Sequence, residues 1–335
     1  MVVELPRELA EDAFWTRMPP PLLSVVVIGL AFGFETLLGV AGSDGTAAGN
    51  AFVHSVAWTV WRSITGAALV IFVLLTAQAV RILQHPGRWG FHPQPVRQRH
   101  YVLSASGAAA AVLAYRFAFP GKTPDLPVQY LSVRTDVVLV AALIAAVPWL
   151  TVVWLAHAEC RNLDEFSEPD VGNEYAGAIH DESHNPALFR KAVKQLLGLW
   201  ELLIFCAGAF TLGVMAAVAS AGALRGAFVS VYPKRAGEFP PANVLLYGGL
   251  FALGLSVIAL PMATAWRNRA QQLVEHVSPL PKNGRPTQAW MQERQRLEHL
   301  LHLDTPVVRN PLTLVGVLAP LAVSALAAFL PELAN

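Results

Sequence analysis

The residues best placed to do chemistry in this chain are charges set into apolar runs. In "LAFGFETLLG", residues 30–39, Glu35 is the one ionisable group. Arg62 ("TVWRSIT"), Arg116 ("LAYRFAF") and Asp136 ("VRTDVVL") stand in similar surroundings. A charge in hydrocarbon costs about 2.5–3.5 kcal/mol on insertion scales, so such groups turn inward, pair, or mark the path of an ion or solute. Two readings follow. The four residues form a polar vestibule that binds an ion or charged solute, or Glu35 and Arg62 form a static clamp while Arg116 reaches for the surface. Glu201, in "LLGLWELLIF", is a further acid in an apolar run, either a proton-linked carboxylate or a wet group at headgroup level.

A different chemistry is suggested by "IHDESH", where His180 and His184 have the H-x₃-H spacing that can share a metal on a helix. His157, Glu159 and Cys160 of "HAEC" are candidate additional ligands. No established zinc spacing is matched, and a solvated polar linker is the simpler reading of the segment. The tripeptide "GKT" at 121–123 is not a phosphate loop, because Arg116 stands where the first glycine belongs. HExxH, CxxC and GxSxG are absent, and no histidine lies in the middle of an apolar run. No cofactor is therefore expected.

The elements that must position these side chains are membrane helices. Of 335 residues, 54% are hydrophobic and 14% charged, against about 25% charged in an ordinary soluble domain. The near balance of 24 Lys+Arg and 23 Asp+Glu gives no sign of a nucleic-acid partner. Runs of roughly 20 apolar residues, enough to cross a bilayer core, lie at about 20–40, 56–80, 101–119, 136–157, 197–221, 243–266 and 311–330. The fold expected is an all-α polytopic bundle of about seven transmembrane helices, forming a single integral membrane domain over 1–335. The N-terminal "MVVELPRELAEDAFW" has four acids and no basic region ahead of an apolar core, so it does not read as a cleavable signal.

Loop charge gives the direction. With seven spans and the N-terminus inside, 17 Lys and Arg fall in the inner segments and 5 in the outer ones, as the positive-inside rule requires. Removing the third span would place the seven basic residues of 267–310 outside. The expected location is the plasma (inner) membrane of a bacterium, N-terminus cytoplasmic and C-terminus outside. Glu35, Arg62, Arg116 and Asp136 then share one level near the outer face.

Two cytoplasmic loops remain, 158–196 and 267–310. In the first, Asn185-Pro186 is a helix start that would run through "ALFRKAVKQLLGLW" into the fifth span. In the second, "TQAWMQERQRLEHLLHLD" brings Trp290, Leu297, Leu300 and Leu301 near one helical face, with Arg294 and Glu298 at i,i+4. This amphipathic helix could lie on the lipid bilayer, pack on its own bundle, or meet a cytoplasmic partner through 287–303. Gly29 and Gly33, and the stripe Ala209, Gly213, Ala217 and Ala221, are small-residue faces for close helix approach, within one bundle or in a homo-oligomer. Pro148, Pro261 and Pro320 lie within spans and predict kinks. Three functions stay open: a pore or transporter for an ion or small charged solute, a non-enzymatic anchor, sensor or effector, and a membrane metalloenzyme built on His180 and His184.

Overall fold

The computed structural model describes residues 20–40, 42, 44–85, 95–118, 126–162, 186–281, 285–304 and 321–326. Among these, all regular structure is helical. The elements are α1 (Pro20–Gly39), α2 (Ala47–Val53), α3 (Val56–Gln84), α4 (Pro95–Ala118), α5 (Leu131–Asn162), α6 (Pro186–Val231), α7 (Pro241–Val277) and α8 (Gln288–Leu300). A 3-10 turn, Pro233–Glu238, joins α6 to α7. Five helices, α3 to α7, are long and apolar enough to cross a membrane, and α1 holds a shorter apolar stretch, Ser24–Gly39. Among the described residues the number is therefore five, and the expected count of about seven is not confirmed. Of the expected last span, 311–330, only 321–326 are among the described residues, and they are helical.

Local chemistry sets the helix ends. The hydroxyls of Thr46, Ser55 and Thr287 accept from the backbone N–H of Gly49, Trp58 and Trp290, capping α2, α3 and α8. Pro186 and Pro241 open α6 and α7, where a missing N–H costs nothing. As the Asn185-Pro186 signal suggested, α6 runs unbroken from Pro186 into the apolar span. Its 46 residues make a rod of roughly 69 Å, more than twice a bilayer core of about 30 Å.

Packing is organised around α3, which contacts α1, α5 and α6. One apolar cluster joins Trp58, Trp61 and Phe72 of α3 to Leu38 of α1, Leu131 and Ala145 of α5 and Phe228 of α6. A second joins Ile82, Trp149, Leu199, Trp266, Val274 and Leu301 at the other end of the bundle. Indole N–H groups tie helices across it: Trp149 donates to the Leu75 carbonyl (2.9 Å) and Trp266 to that of Leu196 (2.8 Å). On α7, Leu246, Leu250, Leu253, Val257 and Leu260 form an exposed apolar stripe. At 1.5 Å per residue it is roughly 21 Å long, a face suited to lipid.

Of the two small-residue faces expected, one changes. A side chain at Gly29 or Gly33 would meet nothing within 4 Å, so that pair is not a packing seam within the described residues. The close approach is made by Gly66 instead, where an added Cβ would lie 3.4 Å from the Glu35 backbone nitrogen of α1. The α6 stripe faces α3, for a Cβ on Gly213 would touch Leu75 at 3.4 Å. Pro148 and Pro261 sit inside α5 and α7, which continue past them.

The second amphipathic segment lies on its own bundle. Leu301 and Leu303 are buried in the cluster with Trp266, and Leu297 packs against it. Arg267 donates to the Leu303 carbonyl (3.2 Å), and His302 stacks on Trp200 at 5.7 Å. The expected Arg294–Glu298 pair forms at 2.9 Å.

Candidate functional site

The four charges from the apolar runs meet as two pairs. Arg62 of α3 reaches α1, where its Nη2 lies 3.9 Å from Glu35 Oε1. Its firmer contacts are to the Glu35 backbone carbonyl, which accepts from Nη2 at 3.0 Å and from Nε at 3.3 Å. Gly39, one turn further along α1, makes room for this: a Cβ there would collide with the Arg62 guanidinium. Arg116 of α4 and Asp136 of α5 lie 3.0 Å apart. Arg116 therefore has an acidic partner as well as any route to the surface. All four side chains are 23–28% exposed, neither sealed in the core nor free.

α5 begins at Leu131, more than a turn before the expected edge of its span, so Asp136 sits within a helix and brings Arg134 with it. Arg134 was counted as a loop residue by sequence, and it is the main residue that reading missed. It is 8% exposed, and both its Nη atoms are buried with no hydrogen-bond partner among the described residues. Its guanidinium carbon lies 5.5 Å from the centroid of the Trp58 ring. Trp58 stacks on Trp61 at 4.8 Å, and the Trp61 indole N–H is likewise buried without a partner. Arg62 is near enough to repel it electrostatically. Asp136, two residues on, points about 200° round the helix and so serves Arg116 on α4 rather than Arg134.

The layer is closed by connecting segments. Leu126 and Val128 are buried in the cluster with Trp58. The Gln129 N–H donates to the Gly42 carbonyl and the Asp44 N–H to that of Pro127, both at 3.4 Å. Beyond them Asp44 accepts from the Thr46 hydroxyl (2.5 Å) and N–H (3.0 Å), which holds its carboxyl below the ordinary carboxylate value. Arg225 of α6 is fully buried at this end and donates to the Phe239 carbonyl at 3.1 Å.

No protein-family model, curated protein or solved structure matches the chain. Its function has to be argued from its own residues.

Glu201 stands apart from this layer. The Thr65–Ser220 hydroxyl bond (2.8 Å) ties α6 to α3 one turn from Arg62, and Glu201 is 19 residues from Ser220, roughly 28 Å along the helix. It belongs to the opposite end, where another polar set appears. There Arg269, buried on α7, donates to the carbonyls of Cys160 (3.0 Å) and Arg161 (3.4 Å) and to the Gln272 side chain, closing the C-terminal end of α5. Gln195 donates to Glu159 at 3.1 Å. Glu159 and Cys160 are thus engaged in or buried against helix packing. Among the described residues no three His, Cys, Asp or Glu side chains are placed to hold a metal. His180 and His184 lie outside the described residues.

Proposed function

We propose that this is an integral membrane protein whose charge layer on α1, α3, α4 and α5 binds and passes an ion or small charged solute. The observation that carries the reading is the meeting of Glu35, Arg62, Arg116 and Asp136 as two half-exposed pairs linking those helices. Their partial exposure leaves these charges accessible instead of sealed in the core, as a site for a charged solute requires. Seven crossings, with the N-terminus cytoplasmic and the C-terminus outside, would put this layer at the outer face of the plasma membrane.

Glu35→Gln is the discriminating variant. The stronger Arg62 contacts go to the Glu35 main chain, so the substitution removes charge while leaving the α1–α3 contact in place. In proteoliposomes the variant should change conductance or tracer uptake at unchanged protein yield. Identical flux in the variant and the parent would leave only the clamp.

A further inference from the structure

Among the described residues, neither ion pair serves Arg134, and its two Nη atoms have no hydrogen-bond partner. Glu35 is engaged by Arg62 and Asp136 by Arg116. Among the described residues, the unpaired groups around it are donors: two Nη atoms of Arg134 and the Trp61 indole N–H, in one Arg134–Trp58–Trp61 stack. A second guanidinium, Arg62, adds positive potential instead of relieving it. A buried donor without a partner loses its hydration and gets nothing back, and the loss is larger for a charged group. Stacking on Trp58 returns only part of this. An acceptor with negative charge would offset the rest.

We propose that Arg134 is an anion-binding residue, taking an oxyanion through its two Nη atoms with Arg62 as its electrostatic partner. The planar fork of a guanidinium matches two oxygens of a phosphate, sulfate or carboxylate group, which a single ammonium cannot do. Both Nη atoms are sealed from solvent. An oxyanion therefore has to enter this buried layer to reach them, where Arg62 adds to the positive potential. The oxyanion is either a free solute or the phosphate of an anionic lipid seated against α3 and α5. This inference rests on the reading that the layer handles a charged solute, and it fixes the sign of that solute.

The test uses the purified full chain in neutral detergent. Inorganic phosphate, sulfate and acetate are titrated separately, with binding read by calorimetry and by tryptophan emission, since Trp58 and Trp61 adjoin the site. A second arm adds phosphatidylglycerol and reads retained lipid by native mass spectrometry. The parent protein should bind a free oxyanion or retain the lipid at about one per chain, and Arg134→Gln should weaken that binding at least 10-fold. Arg134→Lys, which keeps the charge without the fork, should fall between. Arg235→Gln, which removes an exposed arginine, should bind like the parent. Retention of lipid with no response to free anions assigns the site to a headgroup, and the reverse assigns it to a solute. Parent protein that binds neither overturns the proposal, as does Arg134→Gln binding equal to the parent; if that variant does not fold, the parent and Arg134→Lys decide. Flux of cations with no anion binding would reject the inference and keep the proposed function. Anion binding with no flux of any ion would do the opposite.

Discussion

At the scale of single residues, the Glu35–Arg62 contact is more a side chain bound to a helix backbone than an ion pair. A half-exposed pair at 3.9 Å is worth about 0–1 kcal/mol once solvent screening is counted. The two charge-assisted bonds from Arg62 to the Glu35 carbonyl are the larger contribution, about 1.5–3 kcal/mol for bonds of this kind. Thermal unfolding in detergent should therefore show Glu35→Gln close to the parent and Arg62→Gln clearly lower. Gly39→Ala should resemble Arg62→Gln, because the new methyl takes the space of the guanidinium. Asp44 gives a pH-dependent case. Its folded carboxyl titrates below the ordinary value of 3.8, so its contribution is complete above that pH and fades as pH falls through the lowered value. Asp44→Ala should speed amide exchange over 46–53 at pH 7, and the difference from the parent should vanish in strong acid.

Between elements, the decisive approach is that of α1 to α3 at Gly66. A large side chain there must push against the α1 backbone, so Gly66→Leu should cost about 1–3 kcal/mol and abolish disulfide trapping between cysteines placed on the two helices. Gly29→Ala should leave that trapping unchanged, since nothing lies near Gly29. This is also where sequence reading was least informative. Gly29 and Gly33 have the spacing of a helix seam, but the face that packs was decided by Gly66, a single glycine in a run rich in other small residues. The helix start at Pro186 was legible because capping and proline rules act locally, and the 288–300 helix because its apolar residues recur on one face. Arg134 was not, because the start of α5 depends on Leu126, Val128 and Leu131 being buried against Trp58, a contact made across the fold.

Across the whole molecule, the ends of the bundle differ in how they are closed. At the Arg269 end, the α8 segment adds Leu301 and Leu303 to the core, and side-chain hydrogen bonds run from one helix to the next. Leu301→Ala should cost about 2–5 kcal/mol and expose 287–303 to proteolysis without altering the charge layer. At the Arg62 end, the arginines gather beneath short connections whose linking hydrogen bonds are long, at 3.4 Å. On the proposed function, the Arg62 end would be the one that admits a charged group. Composition alone pointed to the membrane class, and five helices among the described residues are long and apolar enough to cross a bilayer. The pairing of charges depended on which helices became neighbours, which spacing along the chain does not encode. The most direct test is tracer flux into proteoliposomes loaded with the parent protein, Glu35→Gln or Asp136→Asn, using phosphate, sulfate and a monovalent cation in turn. The account predicts flux with the parent that either substitution changes several-fold; flux absent with the parent, or identical in all three proteins, would contradict it.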